Sequence, residues 1–364
     1  MLKNSKPIII TKDNTIIEKL KIENPEGFAI VIKANNVTVK ECDLKGGINI
    51  WGKVKNIKIL NNYIHDICPE CDAVDMKQIC GVTTTESVGT FKEQGLGAKN
   101  ILVKGNYFKN VTSGVFLVGA SGDISVDGNY CENQYGPFPR GQICQLYKCK
   151  STPETKVIVE NNYSYVDSEL PLQRSFMTNG RVGAEDHIKL NNTFGCKESP
   201  IIIRNNYLYG GSGSSSNSGI MVGDGGGEYI HVIDNKVYYT ENCGIGVCGG
   251  TGNVVKGNKI FQDRPIADKA RSEGRGIQIE CYGTPFYGET LIEDNVVAFK
   301  TTRPYKFCNL LCRTDKAVFK NNRFCESVEE FGELDDFPER KPMSADENML
   351  KPWEIKDEDE WVEM

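Results

Sequence analysis

Hydrophobic and polar residues alternate in one short pattern that recurs along the chain and ends each time in asparagine. In each clean copy, apolar side chains lie five and three residues before the final Asn, as Ile57 and Ile59 do before Asn62. Alternation of period two over so few residues predicts a β-strand with one face turned inward. Clean copies end at Asn62, Asn106, Asn129, Asn162, Asn206 and Asn235, and weaker copies end at Asn258, Asn295 and Asn322.

The asparagine that ends each copy predicts a turn and a contact between repeats. Asn tolerates left-handed backbone and hydrogen-bonds locally, so it suits a tight turn. Asn side chains stacked at the same turn of successive coils would bond to one another as a ladder. Many successive anchors lie 23 to 37 residues apart, and a period of this size indicates stacked supersecondary units.

A second type of strand, bounded by glycine, alternates with the first. It occurs at 114–119, 219–223, 244–247 and 276–279, and Gly at its ends marks tight corners. No convincing apolar run of helical period lies between residues 20 and 325. Two or three short strands per coil therefore predict an all-β solenoid, a parallel β-helix, over residues 1–325. We expect an N-terminal cap at about 1–20 and a loop insertion at about 66–98.

The pattern resembles the right-handed parallel β-helix superfold of pectate lyases, polygalacturonases, alginate epimerases and phage tailspikes. The stretch 218–283, which contains SGIMVGDGGGEYIHVIDN and NCGIGVCGG, is similar to pectate-lyase-like repeat proteins of viral and bacterial genomes. The resemblance covers about residues 20–325. It implies a single-stranded right-handed parallel β-helix and, by analogy with enzymes of this superfold, a substrate groove along one sheet.

Charge is distributed unevenly between the repeats and the end of the chain. Residues 326–364 carry 15 acidic and 4 basic side chains, a net charge of −11, whereas the whole chain carries −6, which leaves about +5 for residues 1–325. A basic body suits an acidic polysaccharide, although a solvated surface without a selective partner is the alternative. We expect the acidic tail, 326–364, to be extended or disordered. Its aromatic residues favour folding back over the solenoid or docking to another protein; these are Phe331, Phe337, Trp353 and Trp361.

The N-terminus lacks the apolar region of a signal peptide, and no apolar stretch reaches membrane-spanning length. We therefore expect a protein that is cytoplasmic in the producing cell or associated with a virion, with no membrane and no nucleic-acid partner. The 14 cysteines are then expected to be free thiols that act as small hydrophobic residues. A virion or secreted location would reopen the alternative of disulfides.

The longest break between anchors, from Asn62 to Asn106, contains a cluster of metal-ligand residue types. His65, Cys68, Cys71 and Cys80 are close enough in sequence for a structural zinc site. A disulfide from Cys80 to Cys68 or Cys71, or unmodified thiols, are the alternatives. No other cofactor is indicated, and calcium is not excluded.

Strand parity predicts which side chains face a ligand. If Ile277 and Ile279 point inward, as Ile220 and Val222 do in an equivalent strand, then Gln278 and Glu280 point outward. Trp51 is expected to point outward in the same way. Strands two coils apart are about 10 Å apart at about 4.8 Å per coil, so one face would hold a set of three polar residues, namely Asp224, Glu280 and Tyr282.

A misphased copy ending at Asn192 follows a cluster of charged residues. Arg beside His and carboxylates suits abstraction of the C5 proton next to a uronate carboxylate. His187 as a backbone-bonded turn residue and Asp224 as a turn cap are the alternatives. The cluster comprises Arg174, Arg181, Glu185, Asp186 and His187.

Two hypotheses of function follow. The first is a polysaccharide lyase, or a glycoside hydrolase, that acts on an acidic glycan. The second is a non-catalytic glycan-binding spike, fibre or capsid-associated protein, a homotrimer if it is a spike. The sequence lacks the NTD…DD…GHG…RIK series of polygalacturonases, the WIDH strand of pectate lyases and the DPHD of alginate epimerases. For the enzyme, we predict catalytic roles for Arg181, His187, Asp224, Glu280 and Tyr282, and substrate binding by Trp51, Arg174, Arg275 and Gln278.

Overall fold

The fold is a coil of short parallel strands. The computed structural model describes residues 2–67, 80–85, 97–134, 136, 140–167, 184–211, 217–240, 242–264, 274–301 and 306–334. Each turn of the coil contributes up to three strands, and each strand pairs in parallel with the equivalent strand of the next turn. Three sheets, which we name A, B and C in their order along one turn, therefore run the length of the solenoid.

Sheet A contains the strands that end in the Asn signature. Its strands are β3 (Ile16–Glu18), β5 (Val37–Lys40), β7 (Lys55–Leu60), β10 (Lys99–Lys104), β13 (Ser121–Asp127), β16 (Val157–Glu160), β19 (Ile201–Arg204), β22 (Ile230–Ile233), β25 (Asn253–Lys256), β28 (Thr290–Glu293) and β31 (Ala317–Lys320).

Sheet B follows the Asn turn. Its strands are β1 (Lys3–Ser5), β8 (Tyr63–His65), β11 (Tyr107–Val111), β14 (Tyr130–Gln134), β17 (Tyr163–Val166), β20 (Tyr207–Gly210), β23 (Lys236–Tyr238), β26 (Lys259–Gln262), β29 (Val296–Phe299) and β32 (Arg323–Phe324).

Sheet C contains the glycine-bounded strands. Two longer strands, β4 (Leu20–Ile32) and β6 (Asp43–Ile50), run through both sheet B and sheet C. The other strands of sheet C are β2 (Ile8–Ile10), β9 (Val82–Thr83), β12 (Val115–Val118), β15 (Cys144–Tyr147), β18 (Asp186–Phe194), β21 (Ser218–Glu228), β24 (Cys243–Val247), β27 (Arg275–Ile279) and β30 (Leu310–Cys312).

Inward side chains of the three sheets form one continuous aliphatic core. The predicted inward pairs, Ile220 with Val222 and Ile277 with Ile279, are fully buried in it. Each coil stacks its inward residues directly on those of the next, because the strands pair in register. The all-β, right-handed parallel β-helix predicted from the sequence is confirmed.

The predicted asparagine ladder lies at the turn between sheets A and B. Asn162 is typical: its Oδ1 accepts from the backbone N–H and the Nδ2 of Asn129, at 3.0 and 2.9 Å. Its Nδ2 donates to the carbonyl of Val126 at 2.8 Å and to Oδ1 of Asn206 at 3.0 Å. The preceding residue, Asn161, has a φ of 55°, which is the left-handed turn conformation that Asn tolerates.

The copy that ends at Asn192 is not a repeat anchor. Asn162 bonds directly to Asn206, so the chain between them makes one turn. The IKLNN segment instead lies in β18 on sheet C, where Ile188 and Leu190 stack on Ile220 and Val222 of β21. Interpreting it as a misphased sheet A strand was therefore wrong, because its apolar pair serves a different sheet.

The acidic tail begins with a short helix that contacts the solenoid. Helix α1 (Val328–Phe331) is capped by Ser327, whose Oγ accepts from the backbone N–H of Glu330 at 3.2 Å. The ring of Phe331 packs 4.9 Å from that of Phe261 and 6.5 Å from that of Tyr238, between centroids. The start of the tail thus folds back on sheet B; Phe337, Trp353 and Trp361 lie outside the described residues.

Two absences hold for the described part of the chain. It contains no helix long and apolar enough to cross a membrane. Its 12 cysteines are free thiols, and most of them are buried.

Candidate functional site

Outward side chains of sheet C form rows that cross the coils. One row joins Lys189 of β18, Met221 of β21, Gly246 of β24 and Gln278 of β27, each in register with the next. Lys189 and Met221 are buried, although they lie outside the main core, whereas Gln278 is partly exposed. The C-terminal end of sheet C is therefore the part of this row that is open to solvent.

Four polar side chains meet at that open end, and we name them the open cluster: Gln278, Glu280, Tyr282 and Arg313. Nε2 of Gln278 donates to Oε2 of Glu280 at 2.7 Å, and the Tyr282 hydroxyl donates to the same oxygen at 3.4 Å. Gln278 also bonds to the Tyr282 hydroxyl, and Arg313 forms an ion pair with Oε1 of Glu280. The structure thus brings the three predicted residues together and adds Arg313.

The open cluster holds a proton donor, a proton acceptor and a cation. Burial and the neighbouring Glu280 carboxylate raise the pKa of Tyr282 to about 12, so the phenol stays protonated at neutral pH. Its side chain is accessible, with Tyr282 44% exposed. Arg313 comes directly after β30, and Glu280 comes directly after β27, so the two occupy equivalent positions in successive coils. The backbone N–H of Arg313 donates to the carbonyl of Ile279.

Asp224 belongs to a second group of charges on sheet C. Nζ of Lys189 lies 3.3 Å from Oδ2 of Asp186, 3.5 Å from Oδ2 of Asp224 and 3.7 Å from Oε1 of Glu185. Burial acts to lower the pKa of Lys189, but Asp186, Glu185 and Asp224 outweigh it and raise that pKa. Lys189, which the sequence did not identify, therefore remains charged, and Asp224 serves as one of its partners rather than as a member of the open cluster.

His187 lies at the buried corner between sheets B and C. It is completely buried; its Nδ1 lies 2.7 Å from Oγ of Ser164 and its Nε2 lies 2.9 Å from the carbonyl of Gly210. Burial lowers the pKa of His187 to about 4, which keeps the ring neutral at neutral pH. The structure places His187 away from the open cluster, in agreement with the alternative of a backbone-bonded histidine. Arg174 and Arg181 lie outside the described residues.

The buried state of His187 makes the stability depend on pH. The pKa of His187 is lower in the folded chain than in the unfolded chain, so the unfolded chain takes up a proton first as pH falls. The stability that is present above pH about 6.5 is therefore lost as pH falls toward 4. We expect His187 to contribute a loss of about 2 kcal/mol between pH 7 and pH 5. Urea denaturation of both proteins at the two pH values should show that lowering the pH costs the natural chain about 2 kcal/mol more than it costs His187→Gln. An equal pH dependence in both proteins would contradict this interpretation.

The remaining predicted substrate-binding residues lie apart from one another. Trp51 follows β6 near the N-terminal end of sheet C, and Nζ of Lys33 lies 5.2 Å from the centroid of its ring. Arg275 begins β27, the strand of Gln278, and its guanidinium donates to the carbonyl of Gly274 at 2.8 Å. Of the two, only Arg275 shares a strand with the open cluster.

His65 and Cys80, the two described members of the predicted zinc set, are engaged elsewhere. Nε2 and Nδ1 of His65 lie 2.8 and 3.0 Å from carboxylate oxygens of Asp43 and Asp66. A ring with a carboxylate at each nitrogen has no lone pair left for a metal. Cys80 is buried against Phe116. Cys68 and Cys71 fall outside the described ranges, within which no metal-binding group of His, Cys, Asp and Glu occurs.

The His65 contacts also set its protonation. Burial acts to lower the pKa of His65, but the hydrogen bonds to the carboxylates of Asp43 and Asp66 outweigh it and raise that pKa. The ring stacks on that of Tyr63, with centroids 4.1 Å apart. The two carboxylates thus favour the protonated ring, which is a structural role on sheet B.

One solved structure supports the fold, and two others are similar at lower TM-scores. The surface adhesin PfbA of Streptococcus pneumoniae is similar with a TM-score of 0.51 and 14% identity, over 85% of this chain and 68% of that one. The alginate lyase AlyF-OU02, in complex with G6, is similar with a TM-score of 0.49 and 14% identity, over 86% of this chain and 58% of that one. A mannuronic-acid-specific polysaccharide family 6 lyase from human gut microbiota is similar with a TM-score of 0.41 and 12% identity, over 83% of this chain and 76% of that one.

No protein-family model and no curated protein matches the sequence. At 14% identity, the likeness to the adhesin shows the fold and leaves the activity to be argued from the site. The chain is a right-handed parallel β-helix.

Proposed function

We propose that this protein binds an acidic, uronate-containing polysaccharide along sheet C and cleaves it by β-elimination at the open cluster. The observation that carries the proposal is the hydrogen-bonded set of Glu280, Tyr282 and Arg313, which brings an acceptor, a donor and a cation to one accessible surface. The net positive charge of residues 1–325 supports attraction of a polyanion.

Each group has a role in the elimination. The uronate carboxylate of the substrate competes with Glu280 for Arg313 and is neutralised by it, which makes the C5 proton more acidic. Glu280, released from that ion pair, accepts the C5 proton. The electron pair of the C5–H bond forms the C4–C5 double bond, the C4–O4 bond breaks, and the Tyr282 hydroxyl protonates the leaving oxygen. Gln278 holds Glu280 and Tyr282 in position through its amide.

The test is production of an unsaturated uronate by the purified full chain. We expect ultraviolet absorbance to rise with at least one member of a panel of uronate polymers. Removal of the donor in Tyr282→Phe should lower kcat by roughly 10²- to 10⁴-fold, the contribution typical of a positioned acid. A reducing-end assay on the same panel detects hydrolysis as new reducing ends that form without the unsaturated product.

Tyr287→Phe is the matched control. Tyr287 is also exposed and donates to a carboxylate, that of Glu228, and burial and this carboxylate raise its pKa to about 12. It lies outside the open cluster, so its variant should retain activity. Absence of unsaturated product from every polymer would refute the lyase, and equal losses in both variants would refute the role of Tyr282.

A non-catalytic glycan-binding protein is the second candidate. One observation favours it: the charged groups of sheet C are paired with each other, Lys189 with three carboxylates and Arg313 with Glu280. Such a protein would bind a uronate polymer without releasing product, and Tyr282→Phe would change the affinity little. Isothermal titration alongside the absorbance assay distinguishes the two candidates.

A further inference from the structure

The outer face of sheet A carries an apolar stripe that the core does not use. From β10 to β28 each strand turns one residue outward between two buried ones, and β31 continues the row with Val318; most of these outward residues are aliphatic and partly exposed. They lie side by side because the strands pair in register. We name as the outer stripe Leu102, Ser125, Ile158, Ile202, His231, Val254, Leu291 and Val318.

Charged residues of both signs border the outer stripe two residues further along every strand except β22, where the position is Ile233. Lys104 pairs with Asp127 at 3.1 Å, Arg204 with Glu160 at 2.6 Å, and Lys256 with Glu293 at 2.8 Å, between N and O atoms. These charges are close to balanced, so the row does not favour a polyanion such as the proposed substrate. An aliphatic surface beside balanced charges fits another protein surface of the same kind.

We propose that two copies of this chain pack through their outer stripes around a two-fold axis at Ile202. With the solenoid axes antiparallel, Ile202 meets Ile202 of the partner subunit, and Leu102 meets Leu291 of the partner subunit. Lys104 then faces Glu293 of the partner subunit, and Asp127 faces Lys256 of the partner subunit. These two contacts join opposite charges, and each occurs twice because an isologous interface repeats every contact.

The size of the outer stripe agrees with a weak dimer. Seven strands, β10 to β28, overlap around the axis; about 4.8 Å apart, they span about 29 Å, and four to five strand residues span about 15 Å. The face would bury about 430 Å² per copy, which totals about 900 Å² and lies in the range of weak, reversible interfaces. Arg204 meets Arg204 of the partner subunit near the axis, and each is already paired with Glu160 of its own chain.

Sedimentation velocity of the full chain over a range of concentrations tests the dimer. We expect a monomer–dimer equilibrium, and we expect Ile202→Lys to raise the dissociation constant by roughly tenfold or more, since it places two charges together at the axis. Thr38→Lys on β5 is the matched control, because Thr38 is also outward and partly exposed but lies beyond the outer stripe. It should leave the equilibrium unchanged.

A charge exchange tests the register of the dimer independently of folding defects. Asp127→Lys and Lys256→Glu each create like-charge contacts in their own homodimer, whereas a mixture restores both opposite-charge contacts in the mixed dimer. The two variants, each with a different tag, should therefore co-purify as mixed dimers when combined. Each variant alone should dimerise weakly. A chain that stays monomeric, a trimer, a dimer unaffected by Ile202→Lys, or a mixture without mixed dimers would overturn the proposal.

Discussion

Replacing Asn162 by Ala is expected to lower the free energy of unfolding by on the order of 4 kcal/mol, since three buried groups each lose one hydrogen bond. The backbone N–H and the side-chain Nδ2 of Asn129 lose their shared acceptor, and the carbonyl of Val126 loses its donor. Each buried unpaired group costs about 1–3 kcal/mol. The midpoint of urea denaturation, followed by circular dichroism, measures the change.

The neighbouring residue provides the control. Asn161 is exposed and its Nδ2 bonds to Oδ1 of Asp127 at 2.9 Å, while its φ of 55° is a conformation that glycine adopts readily. We therefore expect Asn161→Gly to change stability by no more than about 0.5 kcal/mol. Similar midpoints for the two variants would show that the ladder contributes no more than an ordinary turn.

Sheets A and C were predictable because their strands combine alternating apolar and polar residues with a characteristic residue at the strand end, Asn in sheet A and Gly in sheet C. Sheet B was not assigned as a separate set of strands. A strand such as β8 (Tyr63–His65) has only three residues, too few for a period of two to be distinguished from chance. Its outward residues are aromatic or charged, and their stacking, as between Tyr63 and Tyr107, depends on neighbouring coils.

Only those residues of the candidate site that share one strand could be predicted together. Alternation along that strand places Gln278 and Glu280 outward, because Ile277 and Ile279 point inward. Arg313 and Lys189 were missed because their contacts depend on register between coils, and loops of unequal length separate those coils in sequence. The burial of His187 did not follow from the sequence, because it lies at the corner between two sheets, where parity along one strand does not set burial.

The outer stripe did leave a signal in the sequence. The signature strands read VIV at 157–159 and III at 201–203, with an apolar residue also at the outward position. Continuous apolar runs of this kind are typical of strands that are covered on both faces. The sequence prediction used only the inward pair of each strand. The middle residue faces outward and forms the outer stripe, through which the proposed dimer packs.

Replacing Lys189 by Met is expected to destabilise the protein by about 3–5 kcal/mol at neutral pH, because it removes the cation that lies beside two buried carboxylates. The side chains of Glu185 and Asp186 are only 3% and 0% exposed. Met has a similar length, and Met221 already occupies the next position of the same row. The loss is therefore expected to come from charge rather than from shape.

The pH dependence of Lys189→Met distinguishes charge from packing. Without the cation, the buried carboxylates bind protons more readily in the folded chain than in the unfolded chain, so the deficit should shrink as pH falls from 7 toward 5. Lys21→Met is the control, since Lys21 and Glu23 form an exposed pair worth about 0–1 kcal/mol. Urea midpoints at the two pH values measure both variants. A deficit that stays constant with pH would mean that Lys189 supports sheet C through its aliphatic chain instead of its charge.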